Sequence, residues 1–483
     1  MTKKRDLTSG SIYKALLWVA IPTLLSSLVQ MAYNLTDMFW VAKVDIMGLV
    51  SADAVAGVGI AGFYMWFGFG LILLVKVGVS VNISHAAGRD DHDEIQRIGN
   101  NGFIMMMVLA IIYSLIGYFG KNIFVGLFTE SGTIVYDYAV SYLGVISTFV
   151  ISMFMVNLFS GIYDGLGLTI MTFLVTAVGL VLNMILDPFF ILDTVTLFGS
   201  SYQGLGMTVK GAATATVISQ SSVLLIYLTI YVGKSRPFDL HPIKHFSLNT
   251  MKKIYDIGFP IGLQSVLFTI IAIIMTIMQV QYGTDIVATQ RLGSQIEAFA
   301  WMVASGFQVA LASFVGQNYG AGRIDRVKEG YKVALKMLIP YGIIISVIMY
   351  VFAEQLFGVF FRTPEALRLG KMYLEILSFS QLFMILELAT AGGFNGLGKT
   401  RFPSTVGIIG NALRIPMAYL FGLGFGFAGI WWAIGISSIL KGIVLVFLFV
   451  LYLRRLLNSK DKFQTQTNVE DHVPTSNLIT ESD

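Results

Sequence analysis

Long apolar runs separated by short polar segments dominate this chain. A helix rises about 1.5 Å per residue and needs about 20 residues to cross about 30 Å of hydrocarbon, and twelve runs reach that length. They cover approximately residues 13–42, 53–84, 98–119, 134–159, 168–192, 208–232, 250–281, 287–318, 329–352, 366–394, 402–422 and 428–453. No run shows the short alternating strands of a membrane barrel. The pattern predicts an all-α membrane protein with twelve transmembrane helices.

The polar segments between the runs occur twice. Residues 161–169 (GIYDGLGLT) return as 392–400 (GGFNGLGKT), and the AGR at 87–89 returns at 321–323. Six helices per copy is an even number, so both copies have the same orientation, as in transporters built from parallel repeats. We predict two pseudo-symmetric six-helix lobes joined by a cytoplasmic linker and followed by a disordered cytoplasmic tail. The boundaries are 1–232 for the N-lobe, 233–249 for the linker, 250–455 for the C-lobe and 456–483 for the tail.

Composition and charge agree with a bilayer protein. The chain is 55% hydrophobic and only 12% charged, with a mean hydropathy of +0.75. Most Lys and Arg lie in loops on the side of the N-terminus, and such residues are held in the cytoplasm. We therefore expect a multi-pass protein of the cell membrane, in contact with membrane lipid, with both termini cytoplasmic. The basic residues form no stripe, so the net charge of +4 gives no reason to expect nucleic-acid binding.

Two acidic residues interrupt the apolar runs of the N-lobe. Asp37 and Asp187 each lie near the outer end of a predicted helix, at the same depth, and face Met275 and Ile415 in the second copy. A carboxylate at the bilayer centre costs about 2.5 to 3.5 kcal/mol and usually marks an ion or proton pathway. We therefore predict that both acids are functional.

Oxygen-bearing groups surround these acids. Asn183 lies one helical turn before Asp187 on the same face, and Thr216 lies at a similar depth in the next helix. Pro188 has no amide hydrogen, which frees a carbonyl one turn earlier. Such a group could hold Na⁺ or protons, or the two acids could share one proton. A helix-capping role at the membrane surface is the remaining alternative.

Several motifs resemble the multidrug and toxic compound extrusion (MATE) transporters, over residues 10–455. They are YNLTD at 33–37, AGR at 87–89, LNMILDP at 182–188, GAATAT at 211–216 and FVGQNYGAGR at 314–323. The resemblance implies a twelve-helix, two-lobe exporter of amphipathic, often cationic compounds, driven by a proton or sodium gradient. The N-lobe is most similar to the branch of DinF proteins.

That branch implies a cation or proton site, and Na⁺ is the one metal ion that we expect. The implied site residues are Asp37, Asn183, Asp187 and Thr216, with Tyr33, Tyr142 and Asn157 in the surrounding network. The chain departs from relatives similar to NorM, which carry a Glu in helix 7 where this chain has Phe268. Ion coupling in the C-lobe is therefore not expected to follow their pattern.

Other polar groups have weaker functional interpretations. Gln264 and Glu387 are candidates for meeting a cationic substrate in the C-lobe, although Glu387 could equally pair with Arg414 or Lys441. We expect Glu297 to take part in an interfacial salt bridge. Residues 393–400 fit the phosphate-loop pattern GxxxxGKT, but they end an apolar helix instead of following a strand. No nucleotide binding is expected.

The sequence thus predicts a secondary active antiporter that exports small organic compounds by alternating access in exchange for H⁺ or Na⁺. We expect a monomer without enzymatic activity, because no nucleophile, base and metal motif occurs together, and without a cofactor other than the coupling ion. A lipid-linked oligosaccharide flippase of the same superfamily and an ion channel are the alternatives.

Overall fold

A computed structural model describes residues 5–43, 51–197, 200–233, 236–359 and 363–470 of the chain. These residues form fourteen helices and one short hairpin. The first lobe contains α1 (Ile12–Lys43), α2 (Ser51–Arg89), α3 (His92–Gly126), α4 (Ile134–Gly165), α5 (Thr169–Ile191), β1 (Thr194–Leu197), β2 (Ser200–Gln203) and α6 (Thr208–Val232). The second contains α7 (Leu248–Val280), α8 (Thr284–Gly320), α9 (Ile324–Val351), α10 (Ala353–Gly358), α11 (Pro364–Gly396), α12 (Arg401–Ala412), α13 (Arg414–Phe425) and α14 (Phe427–Glu470).

Twelve helical stretches in this part of the chain are long and apolar enough to cross a membrane, which confirms the predicted all-helical class. α12 and α13 together make the eleventh span, Arg401–Phe425. We expected one continuous helix there, but it is interrupted at Leu413. Pro416 weakens the helix at this point, because proline has no amide hydrogen for the carbonyl of Ala412 and its ring clashes with that carbonyl.

A two-stranded antiparallel hairpin between α5 and α6 was not predicted. Thr194 pairs with Gln203 and Leu197 pairs with Ser200. The hairpin lies between the fifth and sixth spans, so it does not change the helical class of the membrane part. α14 continues to Glu470 and covers the first part of the segment predicted as a tail, and the lobe boundaries stay predictions.

Each lobe has its own buried apolar cluster. The N-lobe cluster is built from α2, α3, α4 and α6, and its largest buried side chains include Phe154, Phe159 and Tyr163. The second cluster joins α8, α9, α11 and α14 and also contains the start of α1, where Leu16 and Val19 are fully buried. The beginning of the first helix therefore packs into the second lobe.

The two lobes are in contact at the end of the molecule that carries the N-terminal segment, residues 5–11. We call this end the terminal face, and the last turns of α2, α4, α8 and α11 lie here. The side chain of Gln317 accepts a hydrogen bond from the Leu7 amide at 3.1 Å, and the ring of His85 donates to the Gly396 carbonyl at 2.6 Å. The two AGR motifs meet here, since a Cβ at Gly88 would lie 3.0 Å from the Ala321 nitrogen.

Candidate functional site

The central polar feature of the N-lobe is a bonded pair of side chains on α5. Asn183 and Asp187 are both 0% exposed, and Asn183 Nδ2 donates to Asp187 Oδ1 at 2.9 Å. They can meet because residues four apart lie on the same face of a helix. Buried residues of α5 recur every three or four positions from Thr172 through Gly179 to Asp187. This face of α5 is therefore turned into the lobe along the whole helix.

Helices α1 and α6 both pack against α5 beside this pair. Tyr33 of α1 is buried, and its hydroxyl donates to the main-chain carbonyl of Thr216 on α6 at 3.4 Å. α5 and α6 come close at Gly179, where a Cβ would lie 2.4 Å from Val223 Cγ2. The structure thus brings Tyr33 and Thr216 together and places Asp187 on the helix that packs against both of their helices.

The remaining predicted N-lobe residues are spread over α1 and α4. Asp37 lies within α1, and its side chain is outside the part of the chain that the structure describes. Tyr142 is buried on α4. Asn157, also on α4, donates to the carbonyl of Met153 in its own helix at 3.0 Å. The roles of Asp37, Tyr142 and Asn157 stay predictions.

Two buried oxygen atoms, one on α5 and one on α6, have no hydrogen-bond partner among the described residues. They are Asn183 Oδ1 and Ser219 Oγ, the latter on α6. Buried polar atoms are normally paired, so each such atom calls for a ligand or an ordered water. An amide oxygen, a hydroxyl and a carboxylate are hard oxygen donors of the kind that alkali cations and protons require. The donor set therefore fits the expected coupling ion, but no group of three or more His, Asp or Glu among the described residues forms a metal cluster.

Ser219 was missed by the sequence reasoning about this site. The repeat could have pointed to Ser219, because Gly211 and Ser219 return as Gly429 and Ser437 at matching positions of the second lobe. Ser437 Oγ accepts a hydrogen bond from Arg414 Nε at 2.8 Å. In the C-lobe, Ser437 is thus bonded to the permanent cation of Arg414. Its N-lobe equivalent, Ser219, has no hydrogen-bond partner for its hydroxyl among the described residues.

A cavity of approximately 750 Å³ lies between α4 and α6, away from this site. Its wall includes Lys121 of α3, Thr148 of α4 and Lys210 of α6. Neither Thr216 nor Ser219 lines it, because they lie on another face of α6. The cavity is therefore not the predicted ion site.

In the C-lobe, Glu387 forms an ion pair. Its Oε1 lies 3.1 Å from Lys441 Nζ, and both side chains are largely buried, at 13% and 9% exposed. Arg414, the other partner that the sequence allowed, donates instead to Ser437 and Ser438. Of the two pairings left open, the structure therefore has the one with Lys441.

Two further polar residues of the C-lobe are held against neighbouring helices. Gln264 packs on α12, since a Cβ at Gly407 would lie 2.2 Å from its Nε2. The Oε1 of Glu297 is buried without a hydrogen-bond partner among the described residues, and the carboxyl group faces Tyr373 and Gln381. The expected interfacial salt bridge of Glu297 is therefore wrong, because its helix turns the carboxyl group inward.

Twelve candidate spans in two six-helix halves, with Asp187 fully buried among them, are the architecture of a two-lobe, twelve-helix membrane transporter. The model of the MatE family matches residues 22–189 and 260–420, which is most of both lobes. The chain belongs to the MatE family, which is a family of transporters and not of enzymes.

Individual relatives cover nearly the whole chain. It is similar to the probable multidrug resistance protein NorM of Thermotoga maritima, with 25% identity over 85% of each chain. It is also similar to the multidrug export protein MepA of Staphylococcus haemolyticus, with 22% identity over 91% of this chain and 93% of that one.

Solved structures share the fold. A transporter of the MOP superfamily from Pyrococcus furiosus superposes with a TM-score of 0.85 at 21% identity, covering 94% of this chain and 99% of that one. An outward-facing multidrug resistance MATE transporter of the same superfamily gives a TM-score of 0.84 at 22% identity, with the same coverage.

Proposed function

We propose that this protein exports amphipathic, drug-like organic compounds, cationic ones included, in exchange for H⁺ or Na⁺. Membership of the MatE family supports transport, and relatives along the whole chain carry names of multidrug export proteins. The observation that carries the coupling proposal is the fully buried Asn183–Asp187 hydrogen-bonded pair on α5. The buried hydroxyl of Ser219 lies on α6, which packs against α5. A carboxyl group at this depth is expensive to insert, so its retention needs a function.

The proposed coupling site consists of Asp37, Asn183, Asp187 and Thr216, with Tyr33, Tyr142 and Asn157 as its supporting network. An ion can drive a conformational change only through different affinities for the two states. Binding of a cation or proton at Asp187 changes which groups the carboxylate oxygens of Asp187 attract. The two helices that pack against α5, α1 and α6, are joined by the Tyr33–Thr216 hydrogen bond. Ion binding therefore acts on the packing of α1, α5 and α6.

The substrate is proposed to meet the C-lobe from the central cleft, with Gln264 and Glu387 as candidate contacts. The Lys441 ammonium already occupies one side of the Glu387 carboxylate. A cationic substrate at Glu387 would therefore have to compete with a tethered cation, which favours Gln264 and aromatic side chains as the primary contacts.

We further propose a location in the cell membrane, with the terminal face and both termini in the cytoplasm and the protein working as a monomer. The excess of Lys and Arg on that side supports this orientation. Within the family we propose the branch similar to DinF, supported by the paired Asn183 and Asp187 in the N-lobe and by Phe268 in place of an acid in α7.

Transport in proteoliposomes tests the proposal. A fluorescent organic cation is loaded, and a proton gradient or a sodium gradient is imposed, one at a time. We expect one gradient to drive wild-type transport and Asp187→Asn to reduce it by a factor in the range of about 5 to 150, which is typical of coupling between two sites.

The matched control is Asp193→Asn, an exposed acid just beyond the end of α5, which should transport like the wild type. Wild-type rates in Asp187→Asn under both gradients would sink the coupling proposal. Unitary currents in planar bilayers would show a channel instead, and movement of lipid-linked oligosaccharide but not of the cation would show a flippase.

A further inference from the structure

A second acid is buried in the N-lobe, at the opposite end from Asp187. Asp164 lies on the last turn of α4, within the repeated motif at 161–169, and is 7% exposed. Its Oδ1 accepts one long hydrogen bond, from Thr172 Oγ1 at 3.3 Å. The equivalent residue of the second copy is Asn395, which is equally buried but cannot ionise. The repeat therefore carries an ionisable group here in one lobe only.

Hydroxyl groups and one ammonium surround Asp164. Tyr163 and Tyr227 stack with ring centroids 5.8 Å apart, and Tyr227 is close enough to Asp164 to interact electrostatically. Lys76 of α2 also acts on Asp164 electrostatically, although it forms no ion pair with it within 4.0 Å. The hydroxyls of Tyr163, Tyr227 and Tyr231 are buried. The Tyr227 hydroxyl faces Thr172, and Tyr231 lies next to Tyr163.

Among the described residues, the titratable groups that interact with Asp164 are Lys76 of α2 and Tyr227 of α6. α8 contributes the uncharged Ser313 and Gln317, and in the N-terminal segment the guanidinium of Arg5 stacks over Trp18 at 4.2 Å. Buried polar groups without protein partners normally bind ordered water or an ion. The cluster around Asp164 is thus a small polar pocket with one acid in it.

The backbone of the same residue joins the two lobes. The carbonyl of Asp164 accepts a hydrogen bond from Ser313 Oγ of α8 at 2.6 Å. The next two carbonyls are also used, Gly165 by Gln317 Nε2 at 3.4 Å and Leu166 by the Arg5 amide at 3.2 Å. A shift of the end of α4 would therefore be transmitted to the C-lobe and to the N-terminal segment.

The pocket is separate from the site at Asp187. The pocket reaches the buried face of α5 through Thr172, and the fifteen-residue spacing from Thr172 to Asp187 corresponds to about 22 Å along a helix. Between them Gly179 packs against Val223 of α6, an apolar contact that interrupts the row of polar groups. The Asp164 pocket is thus a second site at the terminal face.

We propose that Asp164, with Thr172 and the three tyrosines, is a second proton-binding site, whose protonation state controls the contact between the lobes at the terminal face. The charged form attracts Lys76 and the Thr172 hydroxyl and holds the end of α4 where Ser313 can bond to it. The protonated form loses the attraction for Lys76 and releases that end. This inference rests on the proposed function in one respect, because it requires lobes that move during alternating access.

Spin labels on the full chain test the proposal directly, because the chain has no native cysteine. Asp93→Cys at the start of α3 and Lys328→Cys at the start of α9 place labels on exposed positions of the two lobes. Distances between the labels are measured in nanodiscs over a pH series, without substrate and without sodium. We expect two distance populations whose ratio changes with pH, and we expect Asp164→Asn to abolish this change.

Asp137→Asn, an exposed acid at the other end of α4, is the matched control and should respond like the wild type. If Asp164→Asn does not fold, Thr172→Val must shift the midpoint of the pH response, because it removes the hydrogen bond that the carboxyl group accepts from Thr172. A wild-type response in Asp164→Asn, an unshifted midpoint in Thr172→Val, or no pH response in the wild type would each overturn the inference. Gradient-driven transport by these variants would still report on the proposed function separately.

Discussion

At the scale of single residues, the buried carboxylates of Asp187 and Glu387 have different kinds of partner. Asp187 is held by the neutral amide of Asn183, whereas Glu387 is held by the ammonium of Lys441. A buried charge needs an opposite charge nearby, since its desolvation is not otherwise offset. Under the proposed function Asp187 takes that positive charge from solution, and Lys441 supplies it permanently in the C-lobe. Of these two acids, Asp187 is the one proposed to exchange its positive partner during transport.

The pairing of Glu387 predicts a specific stability effect. Lys441→Met leaves the carboxylate buried without its partner, which is expected to destabilise the protein by about 3 to 5 kcal/mol. Thermal unfolding of the detergent-purified protein should show a lower midpoint. The double variant Lys441→Met with Glu387→Gln should recover most of the loss, because no unpaired charge remains.

Lys332→Met is the control for that experiment, because Lys332 is exposed on α9. The Lys332→Met variant should unfold near the wild-type temperature. An equal loss in the single and the double variant would mean that the packing of the Lys441 side chain, rather than the charge pair, stabilises the C-lobe.

At the scale of helices, α5 and α6 depend on a close approach at Gly179. A methyl group there would lie 2.4 Å from Val223 Cγ2, and inserting a methylene into a packed core costs about 1 to 3 kcal/mol. We expect Gly179→Ala to lower the unfolding midpoint and to weaken ion-driven transport, because it pushes α6 away from the helix that carries Asn183 and Asp187. Val223→Ala in the same chain should restore both properties by making room.

The matched control is Gly120→Ala on α3, where an added Cβ would meet nothing within 4 Å. Transport that falls equally in the control, or that Val223→Ala does not rescue, would show that the α5–α6 contact does not position the site.

The membrane-spanning helices were predictable from the sequence wherever a single pattern, such as a continuous apolar run, determines the structure. Continuous apolar runs predicted the twelve spans, and the four-residue spacing of Asn183 and Asp187 predicted their shared face. The break at Leu413 was not predicted, because Pro188 occupies the matching position of α5 without interrupting that helix. Asp164 was missed since it lies in a glycine-rich helix end that resembles a loop, and its burial depends on three other helices.

At the scale of the whole molecule, the lobes are joined where glycines let backbones touch. Added Cβ atoms would lie 2.2 Å from a carbonyl oxygen at both Gly78 and Gly320, and 2.1 Å from one at Gly88. The obstacle in each case is backbone, which cannot rotate away as a side chain can. The terminal face is therefore closed in this structure by backbone contacts that leave no room for a side chain at these glycines.

Gly88→Ala is the variant that tests this geometry. Its methyl group would collide with the carbonyl of Gln317 on α8, so the closed arrangement should lose stability while the open one is unaffected. With the labels on α3 and α9, we expect the longer distance to become the main population, and gradient-driven transport to fall because the closed state is depleted. Gly62→Ala lies on the same helix, where an added Cβ meets nothing within 4 Å, and should match the wild type. A distance distribution in Gly88→Ala identical to that of Gly62→Ala would show that this contact does not hold the lobes together.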